Sequence, residues 1–291
     1  MSVIAPSAAV RLWRAGWSVR LALLVLLGVA LLAVAGPALA PQDPLAQNAS
    51  AALQEPSLAH LLGTDYLGRD VLSRLFAGAP ASLVSAVAAA LIGLVLGAVP
   101  GALSAFVPRF AEWFSLRIVD ALLALPFILF AIVFAALLGN GLIQATLAIG
   151  ILVAPGFFRI ARAATLRVRD SQYIDAAGYL GASAWWILRR HVRRQVAPNL
   201  VVASVSALGG ALLAVASLTF LGIGVQPPAP TWGGMLSSDL GYLGQRPWGP
   251  LAPALAIIVT VGALNVVADA ARDVLGAAVV VPAKRKAVAH V

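Results

Sequence analysis

The sequence contains no cysteine, which excludes disulfides, thiolate metal sites and cysteine nucleophiles. Lysine is nearly missing: Lys284 and Lys286, preceded by Ala283 and Arg285, are the only two. A P-loop needs Gly-Lys followed by Ser or Thr, so this chain cannot be its own P-loop ATPase. His60, His191 and His290 are scattered singly and suggest no metal site or catalytic constellation. Charge of either sign is scarce. Charged residues make up 11% of the 291 positions, against about 25% in soluble domains. Neither Asp, Glu, Lys nor Arg occurs in 21–42, 75–108, 121–158, 195–238 or 247–268. No acid falls at the middle of any of these stretches, which argues against a proton-driven carrier.

What is present is apolar: 61% of residues, with mean hydropathy +0.95. A bilayer-spanning helix needs roughly 20 apolar residues. The first and last charge-free stretches fit one helix each. The second gives one long helix, with a possible bend at Pro100. The third is too long for one helix, and Leu138-Gly139-Asn140-Gly141 is a turn signal; helices over 116–138 and 142–165 are expected. The fourth holds a helix to about Leu221 and then a broken segment around Gly222, Gly224, Pro227, Pro228 and Pro230. The expectation is an all-α polytopic membrane protein with six spans. Glycines and prolines inside them (Gly93, Gly97, Pro126, Gly209, Gly210, Pro253) suit close helix packing.

Six spans with a cytoplasmic start place 17 of the 20 basic residues inside and leave only Arg69, Arg74 and Arg246 outside. The inner segments then sum to +11 and the outer to −2, as the positive-inside rule requires. Both termini are therefore expected in the cytoplasm. The net charge of +9 sits in membrane-flanking loops, so anionic lipid headgroups, not nucleic acid, are the expected counter-charge. Ala38-Leu39-Ala40 after Arg11, Arg14 and Arg20 looks like a signal-peptidase site. The run is longer than a usual signal core and Pro41 follows the would-be cut, so an uncleaved first helix is favoured.

The chain divides into residues 1–40 (cytoplasmic segment and first span), an external loop 41–74, a five-helix core 75–281 with a cytoplasmic loop 167–195, and a basic tail 282–291. In the external loop, Thr64 or Asp65 is a candidate N-cap for a helix through Val71–Phe76. In the inner loop, Ile174, Ala177 or Gly178, and Gly181 fall on one face at helical spacing. Asp269, Arg272 and Asp273 stand at i, i+3 and i+4, fit for one ion-paired face.

Four segments resemble one family in order along nearly the whole chain. They are Gly63-Thr64-Asp65-Tyr66-Leu67-Gly68-Arg69-Asp70; Asp120-Ala121-Leu122-Leu123-Ala124-Leu125-Pro126; the loop Tyr173-Ile174-Asp175-Ala176-Ala177-Gly178-Tyr179-Leu180-Gly181 with Arg190-His191; and Ser217-Leu218-Thr219-Phe220-Leu221-Gly222-Ile223-Gly224, followed by Trp232-Gly233. The chain resembles the second permease subunit of a dipeptide/oligopeptide/nickel-type ABC importer. Asp175 stands where that family usually has Glu, Arg193-Arg194-Gln195 where Pro-Asn is usual, Val215 where Glu is frequent, and Ala268 and Ala270 replace glycines.

The resemblance implies a type I ABC importer permease fold in a prokaryotic cytoplasmic (inner) membrane. It implies ATP-driven import of di- or oligopeptides, with nickel chelates, glutathione or oligosaccharides as alternatives and a stand-alone secondary carrier as the rival class. It implies a homologous permease, two ATP-binding subunits and an extracellular solute-binding protein as partners. No cofactor would bind this chain; ATP and Mg would sit on the partner ATPases, so the chain is not itself an enzyme. Tyr173, Ile174, Asp175, Ala176, Ala177, Gly178, Gly181, Arg190 and His191 would form the ATPase-coupling loop. Gly63, Thr64, Asp65, Gly68, Arg69 and Asp70 would form an external gate or receptor-docking element, with the loop 225–249 as the second candidate for that role.

Overall fold

The structure is a computed structural model that describes residues 16–169, 171, 172, 174 and 179–279. The expected basic tail 282–291 lies outside the described residues, as do residues 1–15 and Tyr173, Asp175, Ala176, Ala177 and Gly178. Regular structure among the described residues is helical: α1 (Trp17–Leu39), α2 (Val71–Leu103), α3 (Arg109–Ala124), α4 (Phe127–Leu138), α5 (Leu142–Arg169), α6 (Ala184–Ile187), α7 (Arg193–Phe220), α8 (Trp232–Leu240) and α9 (Leu251–Val279). A 3-10 turn at Ala49–Ala51 precedes α2, and a π-helical turn, Leu188–Val192, joins α6 to α7.

Five of these are long and apolar enough to cross a bilayer: α1, α2, α5, α7 and the Leu251–Val274 part of α9. The sixth expected span, 116–138, is not one helix. Pro126 has no N–H to give a preceding turn and disfavours helical geometry in the residue before it. Leu125 is accordingly extended (φ −76, ψ 134), and the axes on its two sides differ by 97°. The 12 residues of α4 reach about 18 Å, too short to cross alone. The second stretch is one long helix, as expected: α2 runs to Leu103 through both Pro80 and Pro100.

The bundle is organised on α2 and α5, the most extensive helix pair. Gly93, Gly97 and Gly101 recur every four residues on α2 and open a groove into which the α5 backbone settles. A Cβ at Gly97 would lie 2.1 Å from the Ala154 carbonyl oxygen, and one at Gly101 2.4 Å from that of Phe158. In a membrane, where lipid tails compete equally for apolar side chains, this close backbone approach supplies the packing energy. α7 and α9 close the bundle around Ile149, Leu212, Val215 and Trp232, all almost fully buried. α1 lies against α2 and α9, touching the α2 backbone at Gly36.

Candidate functional site

One end of the bundle carries a folded cap made by residues 41–74 and the segment from α7 to α9. The GTDYLGRD stretch is its centre. Gly63 and Gly68 both take left-handed backbone (φ 73 and 72), and a side chain on Gly68 would strike the Asn48 carbonyl oxygen at 1.8 Å. Between them the chain makes a tight antiparallel turn, bridged at Thr64 and Asp70, with Asp65 N–H donating to the Arg69 carbonyl at 2.9 Å. Asp65 Oδ1 accepts from the N–H groups of Leu67 (2.9 Å) and Arg69 (3.0 Å). Its Oδ2 accepts from Arg69 Nε at 2.7 Å and sits 3.4 Å from Arg74 Nε.

This turn occupies the place expected for the helix N-cap, and the cap falls later, on Asp70. Asp70 Oδ2 accepts from Ser73 N–H (2.8 Å) and the Ser73 hydroxyl (2.6 Å), a carboxylate at a helix start favoured by the helix dipole. His60 Nδ1 stands 3.0 Å from Asp70 Oδ1. The Thr64 hydroxyl donates to the Ala51 carbonyl and accepts from Gln54 N–H at 2.8 Å, tying the turn to the loop before it.

Six charges are buried here: Asp65, Asp70 and Asp239 against Arg69, Arg74 and Arg246. Buried ions persist when paired and hydrogen-bonded. Arg246 Nη2 donates to the Leu62 carbonyl at 2.8 Å, while its Nη1 lies 3.9 Å from Asp239 Oδ1. Among the described residues, buried Asp239 Oδ2, Arg246 Nε and Nη1, and Trp248 Nε1 find no hydrogen-bond partner. Burial pushes the Asp239 carboxyl up to about 6, with Arg246 pulling the other way. Tyr66 stacks on Tyr242 with centroids 5.0 Å apart. The Trp232 backbone N–H donates to Ser82 Oγ (3.0 Å) and its indole N–H to the Leu75 carbonyl (3.0 Å), locking α8 onto α2. Beside the cap is a cavity of about 230 Å³ lined by Tyr66, Arg69, Arg74, Gln226, Met235 and Ser237 among others. Asp239, Tyr242 and Arg246 lie in the loop 225–249, which the sequence offers as a candidate for receptor docking or gating without singling out these three. Their signal was faint: two isolated charges and a tyrosine in a Gly/Pro-rich loop.

The opposite end carries the loop 167–195. Ile174 is buried with Phe157, Ala161, Val168, Ile187 and Val196 in the chain's own second apolar cluster. Gly181 has φ +85 with open space around its Cβ position. Ile174 and Gly181, expected on one face, differ in burial, while Ala177 and Gly178 lie outside the described residues. Ile174 anchors the loop inward, and Gly181 turns it. Among its described residues the loop presents Tyr179 and Leu180, 92% and 89% exposed, a large apolar pair that helical spacing does not pick out. Arg190 is exposed; the backbone of His191 lies in the π-helical turn. At the same end, Arg162 pairs with Glu112 and donates to the Ser104 carbonyl (3.1 Å) and hydroxyl (3.0 Å). Asp120 pairs with Arg117 (3.2 Å) and Arg159 (3.0 Å). Of the trio at the end of α9, Arg272 Nη1 reaches Asp269 at 2.9 Å, with both side chains well exposed; Asp273 is also exposed.

Residues 93–281 match the family described as binding-protein-dependent transport system inner membrane component. The chain is 37% identical over 259 residues to the di/tripeptide transport system permease protein DppC of Pseudomonas aeruginosa, covering 87% of this chain and 86% of that one. It is 38% identical over 220 residues to the glutathione transport system permease protein GsiD of Pectobacterium atrosepticum, covering 76% and 73%. To the probable D,D-dipeptide transport system permease protein DdpC of Escherichia coli it is 35% identical, covering 84% and 82%. Among solved structures, a chain of the MetNI methionine ABC transporter in an inward-facing form aligns with TM-score 0.56 and 21% identity. That alignment covers 69% of this chain and 96% of the other, a likeness of fold. With its apolar spans, buried cap motif and this extent of similarity, the chain belongs to the family of binding-protein-dependent transport system inner membrane components.

Proposed function

We propose that this chain is one permease half of an ATP-driven importer of di- or oligopeptides. Similarity across 87% of the chain to a di/tripeptide permease carries that reading. A homologous permease would complete the pathway, and two ATP-binding subunits, holding ATP and Mg, would dock at the loop end. An extracellular solute-binding protein would deliver substrate to the cap end. The charge distribution supports that orientation, with both termini in the cytoplasm.

The two ends suit those tasks. A receptor that docks and leaves needs a rigid platform, and the cap is held by paired buried charges and backbone hydrogen bonds. An ATPase needs a handle it can grip. Tyr179 and Leu180, exposed beside the left-handed turn at Gly181, are apolar anchors of the kind that fill a partner's groove, while Ile174 couples the loop to α5 and α7.

The experiment is affinity purification of the tagged chain from native membranes in mild detergent. Two ATPase polypeptides and a second permease are expected. A clean homo-oligomer without ATPase would sink the pump reading and favour a stand-alone carrier. Because relatives named as glutathione permeases are equally similar, glutathione import is the second reading. Uptake of labelled dipeptide against labelled glutathione by the reconstituted complex separates the two.

A further inference from the structure

The junction of α6, the π-helical turn and α7 puts Arg189, Arg190, Arg193 and Arg194 within six positions. All four are exposed. Among the described residues no carboxylate lies within ion-pairing distance of any of them, although Glu112, Asp120 and Asp269 each neutralise an arginine elsewhere at this end. Together with Ser183 and Trp186 they line one concavity of about 640 Å³. Like charges spaced four apart on a helical surface repel, and a shared counter-anion relieves that repulsion.

The concavity does not end at the arginines. Arg189 and Arg193 also border a second groove of about 320 Å³ between α2 and α7, walled by Ala98, Val99, Ala102, Val196 and Leu200. Those walls belong to two of the membrane-spanning helices. Small residues at Ala98 and Ala102, one turn apart, give the groove its depth. A guanidinium-lined bowl thus opens directly into an apolar trough that runs along the spans.

We propose that this composite site holds one anionic phospholipid, its phosphate among the four arginines and an acyl chain in the trough. Arginine forks pair with phosphate oxygens bidentately, and basic pockets between spanning helices on the cytoplasmic side recognise anionic headgroups. An acidic rim on a soluble partner would satisfy the arginines but leave the alanine- and valine-lined trough empty; a two-part amphiphile fills both. The site depends on the proposed orientation only in setting this end at the inner leaflet.

The test uses the purified complex in nanodiscs of dioleoylphosphatidylcholine with a minor fraction of dioleoylphosphatidylglycerol, read by native mass spectrometry. The wild type should retain phosphatidylglycerol above its share of the disc. Arg189→Gln/Arg193→Gln should lower retention by about 30-fold, at about fivefold per arginine near a charged surface, and the matching lysine pair should recover most of it. Ala197→Leu, which fills the trough and keeps the charges, should also lower it. Equal retention in all four proteins would overturn the site. Loss of ATPase subunits from the glutamine pair with unchanged lipid would overturn it too, assigning the arginines to a protein partner. Lipid enrichment on a wild-type protein that carries no ATPase would leave this site standing and remove the pump reading instead.

Discussion

Tyr66 and Tyr242 stack face to face, ring centroids 5.0 Å apart and planes 11° from parallel, joining the turn before α2 to the loop after α8. Arg69 lies over the same Tyr66 ring at 5.5 Å. Two segments far apart in sequence thus become one platform, held from below by the charge cluster around Asp65. In a double-mutant cycle with Tyr66→Ala and Tyr242→Ala, thermal unfolding of the complex should show a coupling of about 0.5–1.5 kcal/mol. Strict additivity would mean that the rings merely neighbour each other.

Asp65 answers to both Arg69 and Arg74. Asp65→Asn keeps the shape and an acceptor for the turn but leaves two buried guanidinium groups without their carboxylate. Breaking a buried pair in this way costs about 3–5 kcal/mol. The expected result is rapid protease cleavage within residues 41–74 and loss of receptor-dependent uptake, with the spans still inserted. Wild-type protease resistance in this variant would contradict the account.

Two glycines separate packing from composition. Gly97→Leu should abolish recovery of folded complex, because even the first added carbon meets the Ala154 carbonyl at 2.1 Å. Gly210→Ala on α7 has nothing within 4 Å of the new carbon, and helix propensity favours it by up to about 1 kcal/mol. Its yield and melting temperature should equal or exceed wild type.

The spans were legible because lipid imposes a long apolar run wherever a helix crosses, and Gly93 and Gly97 announced close packing. The break at Leu125 was not, since a proline in a membrane helix is as compatible with a kink as with a 97° turn until neighbours are known. The GTDYLGRD stretch is legible as a motif, but the division within it is not: Thr64 and Asp65 are turn residues and Asp70 holds the helix cap. Arg246 reaches the Leu62 carbonyl and Asp239 comes under the charge of Asp65 only through tertiary folding, which no local spacing announces.

Asp239 gives the cap a pH dependence. Its carboxyl is raised from 3.8 to about 6, chiefly by burial, so the folded state holds the proton more tightly than the unfolded chain. The stability this group contributes is fully present below pH 3.8 and lost as pH rises through about 6. Infrared difference spectra of the complex should show a protonated carboxyl band at pH 5 that disappears by pH 7 and is missing in Asp239→Asn. A band unchanged by that substitution would assign the titration to another group.

Tyr179, Leu180 and Gly181 offer the sharpest test at the opposite end. Among the described residues nothing lies within 4 Å of the Gly181 Cβ position, so substitution there acts through its left-handed φ of +85. A β-branched residue is strained in that region, whereas asparagine enters it readily. Gly181→Asn should therefore keep ATPase subunits bound and uptake near wild type, while Gly181→Val should lower uptake several-fold, at about 1–2 kcal/mol of strain. Tyr179→Ser/Leu180→Ser leaves the turn intact but removes the apolar pair, and should release the ATPases during purification while the two permeases stay together. If Asn proves as damaging as Val, the partner requires the space at Gly181 itself, and the docking face is centred on the glycine.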